Sequence, residues 1–343
     1  MFDRNRKKAL SDALFSFMKF PLNRHKPFGQ IQLLLFLAVF GMIFTPLAFV
    51  KLRKTAAFVG SDPSQSSAFE PVQVLKGGDD YAAEVEKSGF LGQIAKDSGL
   101  SEAAKISVCN LKRECRHLQG DRLPESIASL TKVPIAVVLM HKVTTENISL
   151  DTPIYLDPAN YTEDASDLAV GEQYPLWKIL AEMLVHSSNI APNQLIDYLG
   201  WDYINEVLAQ RGYRFTRVES KFAGEYIFPA DIGFGANTST ADELTEMMVQ
   251  IYNREHPGDD ILISLLKHQH DREMGFAGLV NSSAHWLGEK TGQTSLVLGT
   301  TVAMEIAGEK YIVTIIDDGE YSELAIRDAI QAIANYIIKN GDF

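Results

Sequence analysis

The sequence predicts a mixed α/β (α+β) body in which an antiparallel sheet, made by both ends of the body, is flanked by helices and carries an inserted all-helical part. Two observations predict it. Short β-rich runs lie near residue 105 and again after residue 294, and the stretch between them is filled mostly by runs with helical spacing. Strands at both ends with helices between them close most economically into one sheet.

The strands come in two groups. "AKISVCNL" and "RECRHL" read as a hairpin; "SLVLGTTVAMEI" and "KYIVTIIDDG", separated by "AGEK", read as a second. "AAEVEKSGFLGQIAKDSG" has helical spacing and stops at Gly99. "SLTKVPIAVVLMHKV" opens a helix near Ser129, since Pro134 is tolerated only in a first turn. "YPLWKILAEMLVHSSNIAPNQLIDYLG" reads as two helices interrupted at Ser187–Asn189, and "DYINEVLAQRGY" as another. "STADELTEMMVQIYNRE" carries a helix-start signal before Asp242 and Glu243. "DILISLLKHQ" continues the helical pattern, and "SELAIRDAIQAIANYIIKN" is a closing amphipathic helix.

The chain has 343 residues and a net charge of −12. That charge argues against nucleic acid as a partner, because binding phosphates needs a basic surface. Yet residues 1–30 hold seven Lys/Arg and two Asp, and residues 31–50 hold no charge at all. Twenty apolar residues match the length of a membrane-crossing helix. The heavier positive charge before the span places the N-terminus in the cytoplasm and the body outside. A cleaved signal peptide is the alternative. The expected organisation is a cytoplasmic tail (1–30), a single transmembrane helix (31–50), a Ser- and Pro-rich linker (51–78) and an extracytoplasmic domain (79–343).

Cys109 and Cys115 are the two cysteines. On one extended strand they stand too far apart to pair, so free thiols are expected unless a turn brings them back into a disulfide. His268 and His270 in "KHQHDRE" lack a third ligand and read as helical, where residues two apart do not share a face; no metal or other cofactor is expected.

The chemistry-bearing residues fall into three groups. Ser129 and Lys132 lie one turn apart at the mouth of an apolar helix. The spacing alone is weak, since Ser16/Lys19 and Ser264/Lys267 share it. A lysine held in a dry place beside a serine can nevertheless lose its proton and act as a base. Ser187 and Asn189 follow at the break between helices, and Lys290, Thr291 and Gly292 follow at the C-terminal strands. In this order and spacing the three groups resemble the penicillin-recognising serine enzymes, with spacing most similar to class A β-lactamases. The resemblance covers residue 81 to the C-terminus.

The resemblance implies roles. Ser129 would be the acylated nucleophile and Lys132 its base. Ser187 would pass a proton to the leaving nitrogen, and Asn189 would hold a substrate amide. Lys290 would supply positive potential, Thr291 would hydrogen-bond a substrate carboxylate, and Gly292 would allow close approach. The backbone N–H groups of Ser129 and Gln293 would form the oxyanion hole. Substrates would be β-lactams or peptidoglycan stem peptides.

The pattern fails at one point. Class A enzymes use a loop glutamate in a Glu-x-x-Leu-Asn setting for deacylation, and "RVESKFAGEYIFPADIGFGANTST" lacks it. Glu225 is the candidate base, with Glu219 the competing alignment. The strand arginine of many β-lactamases is replaced by Thr300 and Thr301. A β-lactamase-like serine hydrolase is therefore the expectation, with a D,D-peptidase, or a non-catalytic sensor of wall peptides or β-lactams, as alternatives.

Overall fold

A computed structural model describes residues 88–164 and 166–343. The basic tail, the apolar stretch 31–50 and the linker lie outside the described residues. Among the described residues, no helix is long and apolar enough to cross a membrane.

The described chain begins with α1 (Gly89–Ser98), which Gly99 caps in the left-handed conformation. The hairpin β1 (Lys105–Asn110) and β2 (Cys115–Leu118) follows, then a short 3₁₀ turn (Ala128–Thr131) that runs into α2 (Lys132–Thr145). A two-stranded sheet of β3 (Pro153–Tyr155) and β4 (Gln173–Pro175) precedes the helical series α3 (Leu176–Val185), α4 (Ile190–Leu199) and α5 (Trp201–Gln210). After a long loop come α6 (Ala241–Asn253), α7 (Asp259–Leu266) and α8 (Gly275–Leu279). Strands β5 (His285–Gln293), β6 (Leu298–Ile306) and β7 (Glu309–Asp317) and helix α9 (Glu323–Asn340) complete the chain.

The main sheet has the order β2-β1-β7-β6-β5, with antiparallel pairings throughout. Both ends of the domain therefore build one sheet, as the sequence predicts. The sheet is buried on both faces, and side-chain alternation divides its residues between two cores. Val108, Val302 and Val313 point into a core shared with Leu91 of α1 and Ile326, Ile330 and Ile333 of α9. Cys109, Ala303 and Ile312 point the other way, into a larger core with Ile135 and Leu139 of α2, Leu180 of α3 and Leu195 of α4. Helix α2 thus runs through the interior, which explains why its sequence is apolar on nearly every side.

Two expectations are corrected. The cysteines are not free thiols: Cys109 and Cys115 form a disulfide. A turn with Arg113 at φ 64° folds the chain back, so that the two cysteines face each other in register across β1 and β2. The segment "KHQHDRE" is not helical. Helix α7 ends at Leu266, and His268 and His270 lie in the turn beyond it.

The disulfide closes a loop with a sequence separation of only 6. By chain entropy such a short loop contributes about 2 kcal/mol. Reduction should lower the unfolding free energy by that modest amount and leave the fold intact, as read by urea unfolding with and without reductant. Unfolding on reduction alone would show that the cross-link carries more of the fold than its loop length allows.

Candidate active site

The site is assembled from three segments around one lysine. The first is the 3₁₀ turn before α2. It begins at Ala128, a non-glycine residue with φ 46°. The turn is closed by the Leu130 N–H bonded to the Ile127 carbonyl at 3.0 Å and by the Thr131 hydroxyl bonded to the Ala128 carbonyl at 2.8 Å. This geometry puts Ser129 at the head of the buried helix. Strand β5 packs against the turn so closely that a Cβ on Gly292 would lie 3.0 Å from the amide nitrogens of both Ser129 and Leu130. Those neighbours are backbone, so a side chain here would press on the turn and glycine fits best. The close approach sets Gln293, the last residue of β5, beside the Ser129 turn.

Lys132 is the first residue of α2 and has no solvent exposure. Its Nζ lies 2.9 Å from Ser129 Oγ, 2.5 Å from the Ser187 carbonyl, 3.1 Å from Ser187 Oγ and 2.9 Å from Asn189 Oδ1. An ammonium has three hydrogens for these four oxygens. Burial pushes the Lys132 pKa well below its ordinary value and the nearby Lys290 charge adds to this, while Asp164 acts in the opposite direction. A neutral amine here has a lone pair for the Ser129 proton and two hydrogens for the remaining oxygens. Above the amine, 4.8 Å away, sits the ring of Phe222.

The second segment is the break between α3 and α4. Ser187 sits at φ 57°, another left-handed non-glycine residue. The adjoining turn is held by Asp164, from the stretch between β3 and β4. Its carboxylate accepts from the Ser188 hydroxyl and from the backbone N–H groups of Asn189 and Ile190 at 3.2 and 3.3 Å. A carboxylate at a helix N-terminus satisfies otherwise unpaired donors.

The third segment is β5. Lys290, also fully buried, places Nζ 3.0 Å from Ser187 Oγ and 2.8 Å from the Thr291 carbonyl. The Ser187 hydroxyl therefore bridges two lysines. Burial lowers the Lys290 pKa to about 8, opposed by Asp271 and Glu289. The neighbouring Glu289 is raised to about 7 by burial, although it accepts the N–H groups of Phe276 and Gly275 and the Thr300 hydroxyl. Thr291 donates its hydroxyl to Asp271 Oδ2 at 2.7 Å.

Of the residues singled out from the sequence, Ser129, Lys132, Ser187, Asn189, Lys290, Thr291 and Gly292 converge, and Gln293 adjoins them. Glu225 does not join them. It is exposed on a loop whose Tyr226 and Ile227 amides are held by Glu163, and it accepts a hydrogen bond from the Tyr226 hydroxyl. Glu219 is also exposed, beside a surface cleft lined by Leu199, Trp201 and Phe234. Thr300 and Thr301 are buried within the sheet, Thr301 paired with Thr314.

Three residues at the site escaped the sequence reading: Phe222, Asp164 and Asp271. The backbone of Phe222 is clamped from both sides by the Asn193 amide, at 2.6 and 2.8 Å, and counting back from Pro229 lands one residue away from it. Asp164 lies 24 residues before Ser188 in a segment without a motif. Asp271 was hidden in a stretch read for its histidines.

The sequence model of the Beta-lactamase enzyme family matches residues 88–340. No curated protein matches the chain. Among solved structures, a β-lactamase from Sphaerobacter thermophilus DSM 20745 superposes with a TM-score of 0.62 at 20% identity, over 72% of this chain and 96% of its own. PBP-A superposes at 0.63 and 21% identity, over 74% and 97%. A PBP-A variant, solved as an acyl-enzyme complex with penicillin G, superposes at 0.63 and 21%, over 73% and 97%. These likenesses establish a common fold, and the match over most of the domain establishes the lineage: the chain belongs to the β-lactamase enzyme family.

Proposed function

We propose that the protein is an active-site serine hydrolase that is acylated at Ser129 by β-lactams and by acyl-D-alanyl-D-alanine-type wall peptides, and that its β-lactam acyl-enzyme is long-lived. The observation that carries the reading is the contact of Ser129 Oγ with the amine of a fully buried, pKa-lowered Lys132. In the acylation step Lys132 takes the Ser129 proton while Oγ bonds to the carbonyl carbon. The amide C–N bond then breaks, and the Ser187 hydroxyl passes a proton to the leaving nitrogen and is reprotonated from the lysines it bridges. The Ser129 and Gln293 amides receive the oxyanion, and Asn189 orients the substrate amide.

Hydrolysis of the ester needs a second base that activates water. The side chain that faces Lys132 from the loop is Phe222, an apolar ring. This favours slow deacylation, and with it a D,D-peptidase or penicillin-binding role over a fast β-lactamase. PBP-A and the acyl-enzyme of its variant are precedents within the same fold. The disulfide supports an extracytoplasmic body. The basic tail and the apolar stretch 31–50 support a single-span anchor in the cytoplasmic membrane.

Ser129→Ala should abolish covalent labelling by a fluorescent penicillin in a protein that melts as the parent does. Lys132→Ala should slow labelling by at least about 100-fold. Labelling of a folded Ser129→Ala protein would remove Ser129 from its role, and a change of only a few-fold would do the same for Lys132.

Acylation should also report the two lysines as a bell-shaped pH profile. The rate rises as pH climbs through the depressed pKa of Lys132, which must be neutral to accept a proton. It falls above about pH 8, where Lys290 loses its charge. Lys290→Arg should move the alkaline limb upward, because a guanidinium stays protonated. An alkaline limb that stays in place would assign it to another group.

The lifetime of the acyl-enzyme separates the two hydrolytic readings. Intact-protein mass spectrometry after a penicillin pulse should show slow loss of the acyl group in the parent and the same lifetime in Glu225→Gln. Phe222→Glu, which puts a carboxylate beside Lys132, should shorten that lifetime by about tenfold or more. Rapid loss in the parent with trapping in Glu225→Gln would instead identify a β-lactamase that uses Glu225.

A further inference from the structure

In the reading above, Thr291 is the group that would donate a hydrogen bond to a substrate carboxylate. In this protein its proton already has an acceptor. Thr291 Oγ1 donates to Asp271 Oδ2 at 2.7 Å, and a threonine hydroxyl has a single hydrogen. Its accepting side is engaged as well, by Gln269 Nε2 at 3.2 Å. The subsite therefore contains an anion that belongs to the chain itself.

Asp271 is held in place. Its Oδ1 accepts the Glu273 N–H at 3.2 Å, and the preceding residue, His270, donates its backbone N–H to the Val185 carbonyl at 2.9 Å. That bond ties the turn after α7 to the end of α3, two residues before Ser187. Asp271 is nevertheless exposed, so it lies at the mouth of the site.

The cations nearby do not outweigh it. Lys132 is held toward its neutral form, which leaves Lys290 as the positive charge, and Asp271 is among the groups that stabilise that charge. Thr300 and Thr301, on the strand beside β5, are buried and hydrogen-bonded within the sheet. Arg272 spreads its guanidinium over the rings of Phe276 and Trp286, at 5.2 and 5.0 Å. A substrate carboxylate arriving at Thr291 would have to displace Asp271 and then remain close to it, and like charges at such range repel.

We infer that Asp271 is a specificity-determining residue that fills the anion subsite beside Thr291, so that β-lactams and D-alanyl-D-alanine peptides reach Ser129 with their carboxylate weakly held, and the same donors with that carboxylate neutralised as an ester or carboxamide bind more tightly. The inference rests on the acyl-transfer reading of the Ser129 site.

The test is equilibrium binding of benzylpenicillin and of its methyl ester to the Ser129→Ala protein, measured by calorimetry so that no acylation is required. The ester should bind more tightly than the acid. Adding Asp271→Asn should strengthen acid binding by at least about tenfold and change ester binding by no more than about threefold. Asp271→Glu should keep the acid weak. Equal effects on both ligands, or tighter binding of the acid while Asp271 is present, would overturn the inference, and so would the failure of both ligands to bind. Melting temperatures establish that the variants are folded. Acyl-enzyme formation by the protein with Ser129 intact, read by mass spectrometry, reports separately on the acyl-transfer reading.

Discussion

The site depends on burying the amine of Lys132 among oxygens from two separate segments. A charged ammonium without water is costly, and the cost falls when the group is neutral or well coordinated. Here both remedies operate. Ser129, Ser187 and Asn189 surround the nitrogen, and the second buried lysine, Lys290, discourages it from holding a proton. The burial that makes the charged residue expensive is also what lowers its pKa. Helix α2 has to be buried for this to work, which is why a sheet with two buried faces and a helical cluster beside it suits the site.

The coordination is held by strained backbone on both sides of the lysine. Ala128 and Ser187 adopt left-handed conformations without being glycine, which costs of order 1–3 kcal/mol each. Each needs something to hold it there. For Ala128 this is the pressure of β5, whose Gly292 leaves no room for a side chain against the Ser129 and Leu130 amides. For Ser187 it is the Asp164 carboxylate on the next three residues of the chain. Gly292 and Asp164 in this way help to position the two serines within reach of one nitrogen.

Strands β1, β2, β6 and β7, most helices and the serine–lysine constellation were legible in the sequence, because each rests on local pattern: the β-rich runs of β6 and β7, the break at Ser187–Asn189, and the glycine that follows Lys290 and Thr291. What stayed hidden depended on contacts between distant segments. Asp164 caps a helix that begins 26 residues after it, and no spacing rule links them. Phe222 reaches Lys132 because Asn193 clamps its backbone. A search of that loop for acidic residues passes over an aromatic one. The cysteines illustrate the same limit on a smaller scale. The two strands were recognised, but the register that places Cys109 opposite Cys115 is set by the turn at Arg113.

Phe222 and Asp271 flank the serine–lysine cluster, one against Lys132 and the other against Thr291. Ser129 and Ser187 are hydrogen-bonded around the two lysine amines of Lys132 and Lys290. The groups at the edges are less accommodating. Phe222 puts an apolar ring beside Lys132, where a carboxylate would make water reactive. Asp271 puts a carboxylate on Thr291, where a substrate's own carboxylate would otherwise be received. On the proposed acyl-transfer reading, one edge lacks a carboxylate that ester hydrolysis would use, and the other holds a carboxylate that a substrate anion would meet. Such a site, on the same proposed reading, bonds acyl donors at Ser129, holds their carboxylate weakly and releases the acyl group slowly.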